Sequence, residues 1–271
     1  MRRKHLVDQL LLTSILYLTT LDASAIMTIK PRPAEPGHEH HRGMGKVFTL
    51  TGFENSTIRQ VTPDLDIINL GANQQQIPFK SMGKDNYHAL VATRNHNGVE
   101  ETAIRYIYGR GKPTGHSPKE LTDLQKSTLE IVPDPIPREH WHYKAGHEAA
   151  FIVRYKHQPL ASIAVSLATS HASIVNARTD ARGRVVFTVP DDYKVDKPGR
   201  RENKPAELLV HVKHQHNEKN YATWLAADYE ANPAQWKNTQ MGALVATGGF
   251  IFGAFITGLG LTNNSSKRRE L

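Results

Sequence analysis

The sequence predicts a mainly β protein, built as two tandem Ig-like or transthyretin-like β-sandwich domains and closed by one C-terminal transmembrane helix. Three observations carry this reading. Short runs of β-branched and aromatic residues recur along residues 46–231, separated by Asn, Gly and Pro. Alternation is clear in Ile163, Val165 and Leu167 and again in Val185, Phe187 and Val189, as half-buried strands require. Residues 241–261 carry no charge, and at about 1.5 Å per residue they cover a hydrocarbon core of roughly 30 Å.

Residues 1–25 read as a cleavable secretory signal. Arg2, Arg3 and Lys4 form a basic head, residues 10–21 an apolar run too short to span a bilayer, and Ala23-Ser24-Ala25 the small-residue pattern that signal peptidase accepts. Residues 26–45 follow as a flexible arm, with Pro31, Pro33 and Pro36 leading to Gly37-His38-Glu39-His40-His41 and no apolar periodicity.

The first sandwich is assigned to residues 46–127, with strands expected at 46–53, 65–70, 87–93 and 101–108. Asn95-His96-Asn97-Gly98 is a hairpin turn, because Asn-Gly tolerates the positive φ that tight turns demand. Ser117-Pro118-Lys119-Glu120 has the form of a capping box opening a short connecting helix that ends near Lys126. The second sandwich takes residues 128–231, with strands expected at 128–132, 150–155, 162–169, 174–179, 184–189, 207–214 and 221–229. The stretch 179–184 is expected to be a hairpin loop and 191–205 a longer polar loop.

Residues 232–262 form the membrane helix with its interfacial start. Asn232 caps, Pro233 suits the first helical position, and Trp236 falls at headgroup depth. Gly249, Gly253 and Thr257 recur every four residues, a smooth stripe on which an integral membrane partner could pack. Residues 263–271 form a basic tail in which Lys267, Arg268 and Arg269 stay cytoplasmic under the positive-inside rule.

Composition excludes several classes. There is no cysteine, hence no disulfide, no thiolate metal site and no lipid-accepting cysteine. The formal charge of +8 falls to roughly +5 for the exported part once signal and tail are set aside, and its basic residues are scattered, which argues against a nucleic-acid partner. No nucleophile elbow, H-E-x-x-H helix, Walker A loop or dinucleotide fingerprint is present, so no enzyme activity is expected.

Several segments in order resemble one family. They are Leu129-Glu130-Ile131-Val132-Pro133, Tyr143-Lys144-Ala145-Gly146, Phe151-Ile152-Val153 leading to Pro159-Leu160, and Thr179-Asp180-Ala181-Arg182-Gly183-Arg184 with Phe187-Thr188-Val189-Pro190. Across residues 85–230 the chain resembles bacterial exported proteins known as the transmembrane subunit of a nickel transport complex, or as a periplasmic component of cobalt and nickel uptake. The resemblance implies an auxiliary metal-uptake protein. Such proteins often carry a histidine at or next to the mature N-terminus, whereas this chain would begin Ile26-Met27-Thr28 and reach its first histidine at His38.

The residues themselves point to metal chemistry. The chain holds 15 histidines, well above a typical share of roughly 2%, and neutral imidazole is a borderline ligand for nickel, copper, zinc and cobalt. His38, His40 and His41, followed by Met44, form the tightest cluster and read as a capture arm. His140 and His142 share one side of an extended segment and His147 follows, a candidate fixed site. Alternation puts His214 and His216 on one face and His211 on the other, while His88, His96, His116, His157 and His171 read as structural.

The expectation is a single-pass protein of the inner (cytoplasmic) membrane with a periplasmic ectodomain, binding nickel, cobalt or copper for uptake or delivery. The alternative is a non-catalytic assembly module of an envelope membrane complex, its histidines passive. The topology has a direct check. Protease added to spheroplasts should remove the ectodomain while a C-terminal epitope survives, and a protected ectodomain would refute the assignment.

Overall fold

The computed structural model describes residues 26–32, 46–137, 142–195, 199 and 202–236. The signal segment, His38, His40 and His41, His140, the apolar stretch 241–261 with Gly249, Gly253 and Thr257, and the basic tail lie outside the described residues. No helix among the described residues is long and apolar enough to cross a membrane.

The chain is mainly β with sandwich-like sheets. Its first part holds β1 (Ile29–Pro31), β2 (Val47–Leu50), β3 (Ser56–Val61), β4 (Ile67–Ala72), β5 (Gln76–Pro78), β6 (Lys84–His96), β7 (Val99–Gly109) and β8 (Lys112–Pro113). The helix α1 (Pro118–Asp123) then connects to β9 (Leu129–Pro133), β10 (Tyr143–Lys144), β11 (Glu148–Tyr155) and β12 (Gln158–Pro159). The last strands are β13 (Ala164–Thr169), β14 (Ile174–Arg178), β15 (Arg184–Thr188), β16 (Ala206–His216) and β17 (Lys219–Glu230), before the single turn α2 (Pro233–Trp236).

Local chemistry accounts for several of these boundaries. The capping box of α1 is formed: Ser117 accepts from the Glu120 amide and the Glu120 carboxylate accepts from the Ser117 amide. The β6–β7 hairpin turns on Asn97 and Gly98, with φ of 49° and 76°, the sign that an Asn-Gly turn supplies.

Two expectations are revised. Residues 26–32, assigned to the arm, enter the fold instead: Met27 and Ile29 are fully buried, and β1 pairs antiparallel with β2. The proline-rich composition concealed two buried apolar side chains. The stretch 179–184 is not a hairpin, because β14 pairs with β13 while β15 pairs with β11 in another sheet. Asp180 accepts from the amides of Arg182 and Arg184, and Gly183 turns with φ 71° where an added Cβ would meet the Val153 carbonyl at 2.7 Å. That tight turn carries the chain from one sheet to the other.

Three layers result. The central sheet runs β14-β13-β16-β17-β7-β6-β3-β4, with β10 on β17 and β8 on β6. On one face lies the sheet of β9, β11, β12 and β15, and between them sits a core that includes Phe151, Phe187, Leu167, Val210, Leu225 and Tyr229. The other face carries β1, β2 and β5 over a second core that includes Met27, Ile29, Phe48, Leu50, Leu90, Ala103 and Trp224. Strand β17 faces both: Tyr221 and Leu225 point to the first core, Ala222 and Trp224 to the second.

The boundary drawn between residues 127 and 128 is therefore crossed by hydrogen bonding, since β17 pairs in parallel with β7 from Asn220 opposite Val99 to Ala226 opposite Arg105. One cooperative unfolding transition is expected. Leu225→Ala should lower stability by about 2–5 kcal/mol, and fluorescence and hydrogen exchange should show β6 and β11 losing protection together; separate transitions would disprove the coupling.

Candidate functional site

Of the candidate ligands named from the sequence, His142 and His147 fall among the described residues. His142 sits at the start of β10, whose parallel register with β17 sets Tyr143 opposite Tyr229 and Lys144 opposite Glu230. This places the imidazole against the end of β17, where its Nδ1 lies 2.7 Å from Oε1 of Glu230. A carboxylate accepts, so Nδ1 is the donor here and Nε2 lies outside this contact. Carboxylates that hold a histidine ring in this way also orient the histidines of metal sites. Glu230 is nearly buried, with 7% of its side chain exposed, while His142 is 35% exposed. The pair therefore has a fixed inner member and an accessible outer one.

His142 lines a cavity of about 1070 Å³. Its wall also holds Tyr106 and Tyr143, whose hydroxyls are buried without a hydrogen-bond partner among the described residues. Burial pushes both phenols well above their ordinary range, so they stay neutral and act as hydrogen-bonding groups, not anionic ligands. Arg105 and Asp228, paired at 2.5 Å, form another part of the wall, and a second Arg105 nitrogen donates to the Ile29 carbonyl at 3.2 Å. The same cavity is bounded by Pro31 and Lys46, the positions beside which the chain leaves β1 and returns to β2.

His147 is exposed in the turn before β11, with its backbone held by Lys144 and Val189. Among the described residues no three His, Asp or Glu side chains gather into a metal-binding group, so His142 and His147 are not completed into a site by described neighbours. Glu230 and the two tyrosines were not singled out from the sequence. Tyr143 adjoins His142 in the chain, but Glu230 is 88 residues away and reaches it through strand pairing alone.

The other histidines divide by surroundings. His211 stacks on Trp224 at 4.9 Å and 12°, and burial, then Lys213, pushes it down to about 4. His214 is lowered first by burial and then by neighbouring His216. His116 pairs with Glu120 beside the cap of α1, and His171 packs edge-on against Tyr193. His88 is fully buried in β6, where Nδ1 accepts from Nε2 of Gln60 at 3.0 Å and Phe79 packs edge-on at 4.8 Å.

No family model matches the chain, and no curated protein matches it. Among solved structures it is similar to a Ca²⁺-stabilised adhesin that helps an Antarctic bacterium bind ice, at 12% identity over 76% of this chain and 50% of that one, with a TM-score of 0.26. The chain thus spans half the length of that adhesin structure. It is also similar to the D0-D1 domain of intimin, at 13% identity over 74% of this chain and 96% of that one, with a TM-score of 0.24. A two-domain fibronectin type III segment of chicken tenascin matches at 9% identity over 74% of this chain and 98% of that one, with a TM-score of 0.23.

The state of His88 has a measurable consequence. Burial, the largest influence, pushes it down from 6.5 to about 4, so the folded ring stays neutral at pH values where the unfolded chain takes up a proton. Its contribution is complete above pH 6.5 and is lost progressively as pH falls toward about 4, at roughly 1.4 kcal/mol per unit. Denaturant unfolding at pH 7.5 and pH 5 should show His88→Gln losing about 2 kcal/mol less than the native chain. Equal losses would mean that the ring is already protonated when folded.

Proposed function

We propose that this chain is a membrane-anchored periplasmic accessory protein whose ectodomain binds a divalent transition metal, nickel, cobalt or copper, for uptake or delivery. The anchor is the apolar stretch 241–261, the stripe of Gly249, Gly253 and Thr257 packs on an integral membrane partner, and no catalytic step is involved. One observation carries the metal reading. The strand pair that gives rise to the histidine arm bounds the same cavity that His142 lines.

Covalent geometry extends the point. His38 lies six residues beyond Arg32 and His41 five before Lys46, and Arg32 donates to the Val47 carbonyl at 3.0 Å. Chain length alone therefore keeps His38, His40 and His41 within about 20 Å of the β1–β2 pair. The arm supplies three imidazoles close together in sequence, and His142, held by Glu230, supplies an oriented one. His140 and His147 are the remaining candidates. The resemblance to nickel-transport and cobalt-nickel uptake proteins, and the agreement of signal, anchor and basic tail on one topology, support the same reading.

A non-catalytic assembly module of an envelope complex is the competing reading. The central sheet ends in β14 and β4, which expose Ile174 (69%) and Ile67 (56%), and an exposed sheet edge can accept a partner strand.

Metal titration of the full chain separates the two. Alanine at His38, His40 and His41 should remove the tightest equivalent without lowering the metal-free melting temperature, and affinity should fall as pH drops through about 6.5, where imidazole protonates. Unchanged affinity and stoichiometry in the triple variant would exclude the arm and leave His140, His142 and His147 to be tested. Glu230→Gln should weaken binding about tenfold if His142 completes the site.

A further inference from the structure

Strands β16 and β17 meet in a tight turn at Asn217 and Glu218, both with positive φ. Just before it, strand alternation sets His214 and His216 on one face. Their ring centres are 6.2 Å apart and their planes 28° from parallel. Tyr155, at the end of β11, packs against both, 4.9 Å from His214 and 5.0 Å from His216. Tyr155 is held in turn by Tyr221, the cross-strand neighbour of His214, with ring centres 5.2 Å apart and hydroxyls 3.4 Å apart. Among the described residues both imidazoles pack against rings, and neither side chain makes a hydrogen bond or ion pair.

We propose that His214 and His216 form a second, two-imidazole site for a divalent late transition metal ion, Cu²⁺ or Ni²⁺. With metal–nitrogen bonds of about 2.0–2.1 Å, two imidazoles at adjacent positions on one ion have ring centres roughly 4.5–5.5 Å apart, so the near-parallel rings, 6.2 Å apart, close by about 1 Å and turn their edges to a common point when the ion arrives. Tyr155 limits how far either ring can swing, so little side-chain freedom is lost when the ion arrives. His216 is exposed, which leaves the ion open to water and to exchange.

The electrostatics set the character of the site. Lys156 lies 5.4 Å from the Tyr155 ring, and Lys219 stands opposite His216. Both cations oppose a divalent ion, so the site exchanges its metal and does not retain it. It is also remote from the arm. His214 pairs with Tyr221 and His142 with Glu230, at opposite ends of β17 and roughly 30 Å apart along the strand. The two sites share imidazole chemistry but no residue, and either can fail alone.

The test titrates the full chain with Cu²⁺, following heat and the nitrogen coupling in the electron paramagnetic resonance spectrum. His214→Ala with His216→Ala should abolish one equivalent of binding, and His216→Gln alone, at an exposed hairpin end where the fold is not at stake, should weaken that equivalent at least about tenfold. Lys156→Gln should tighten it. The arm triple variant should keep it. If the double variant and His216→Gln both retain the native stoichiometry and nitrogen coupling, the second site is overturned whatever the arm does. If the arm triple variant alone loses its equivalent, the proposed function stands and this inference falls.

Discussion

The parallel pairing of β17 with β7 is the constraint on which the remaining architecture depends. It joins strands whose residues are more than a hundred positions apart and makes one central sheet of two consecutive sets of strands. Residues 221–226 of β17 are all buried, which a strand achieves only when both of its faces are covered. Small side chains make this possible: Ala222 and Ala226 on β17, Ala103 on β7, and Ala89 and Ala92 on β6 are each at most 2% exposed. Larger residues at those positions would push the outer layers away from the central sheet.

Buried charge selects the register of that sheet. Arg105 of β7 meets Asp228 of β17 at 2.5 Å, and Arg94 meets Glu101 at 2.6 Å across β6 and β7 with both side chains at most 4% exposed. A shift of either strand would leave a charge buried without its partner, a loss of several kcal/mol. Arg105 also binds the Ile29 carbonyl, so the element that fixes the central sheet fixes β1 as well. The candidate site is thus assembled by the same groups that hold the layers together. His142 is aimed by Glu230 at the end of β17, and the cavity it lines is walled by Arg105 and Asp228.

Much of the fold was legible where physics is local. Alternation in Ile163, Val165 and Leu167 marked β13, Val185 and Phe187 marked β15, Asn97-Gly98 marked a hairpin, and Ser117 with Glu120 marked α1. What escaped was non-local or masked by composition. Strand β3 carries Ser56, Thr57, Arg59 and Gln60 among its six residues, because Arg59 donates to the Lys126 carbonyl and Gln60 binds both Lys80 and His88; its polar groups are satisfied by segments far along the chain. The choice of sheet after residue 178 depends on how Gly183 packs against Val153, which no spacing reveals. At the site, the histidine was visible as a residue type, whereas its orienting carboxylate became visible through the β10–β17 register.

The antiparallel pairing of β1 with β2 ties residues 33–45 at both ends, and this sets the arithmetic of the proposed capture. A chelating segment tied at both ends works at an effective concentration set by its tether, in the millimolar range and independent of how dilute the protein is. Closing such a loop costs entropy that grows only with the logarithm of its length, and the strand pair meets that cost during folding, before any ion arrives. Imidazoles held in this way meet one another within one molecule far sooner than they meet a second chain. On the proposed reading, capture is then first order in protein, and it would sequester ions instead of cross-linking the molecules that carry them.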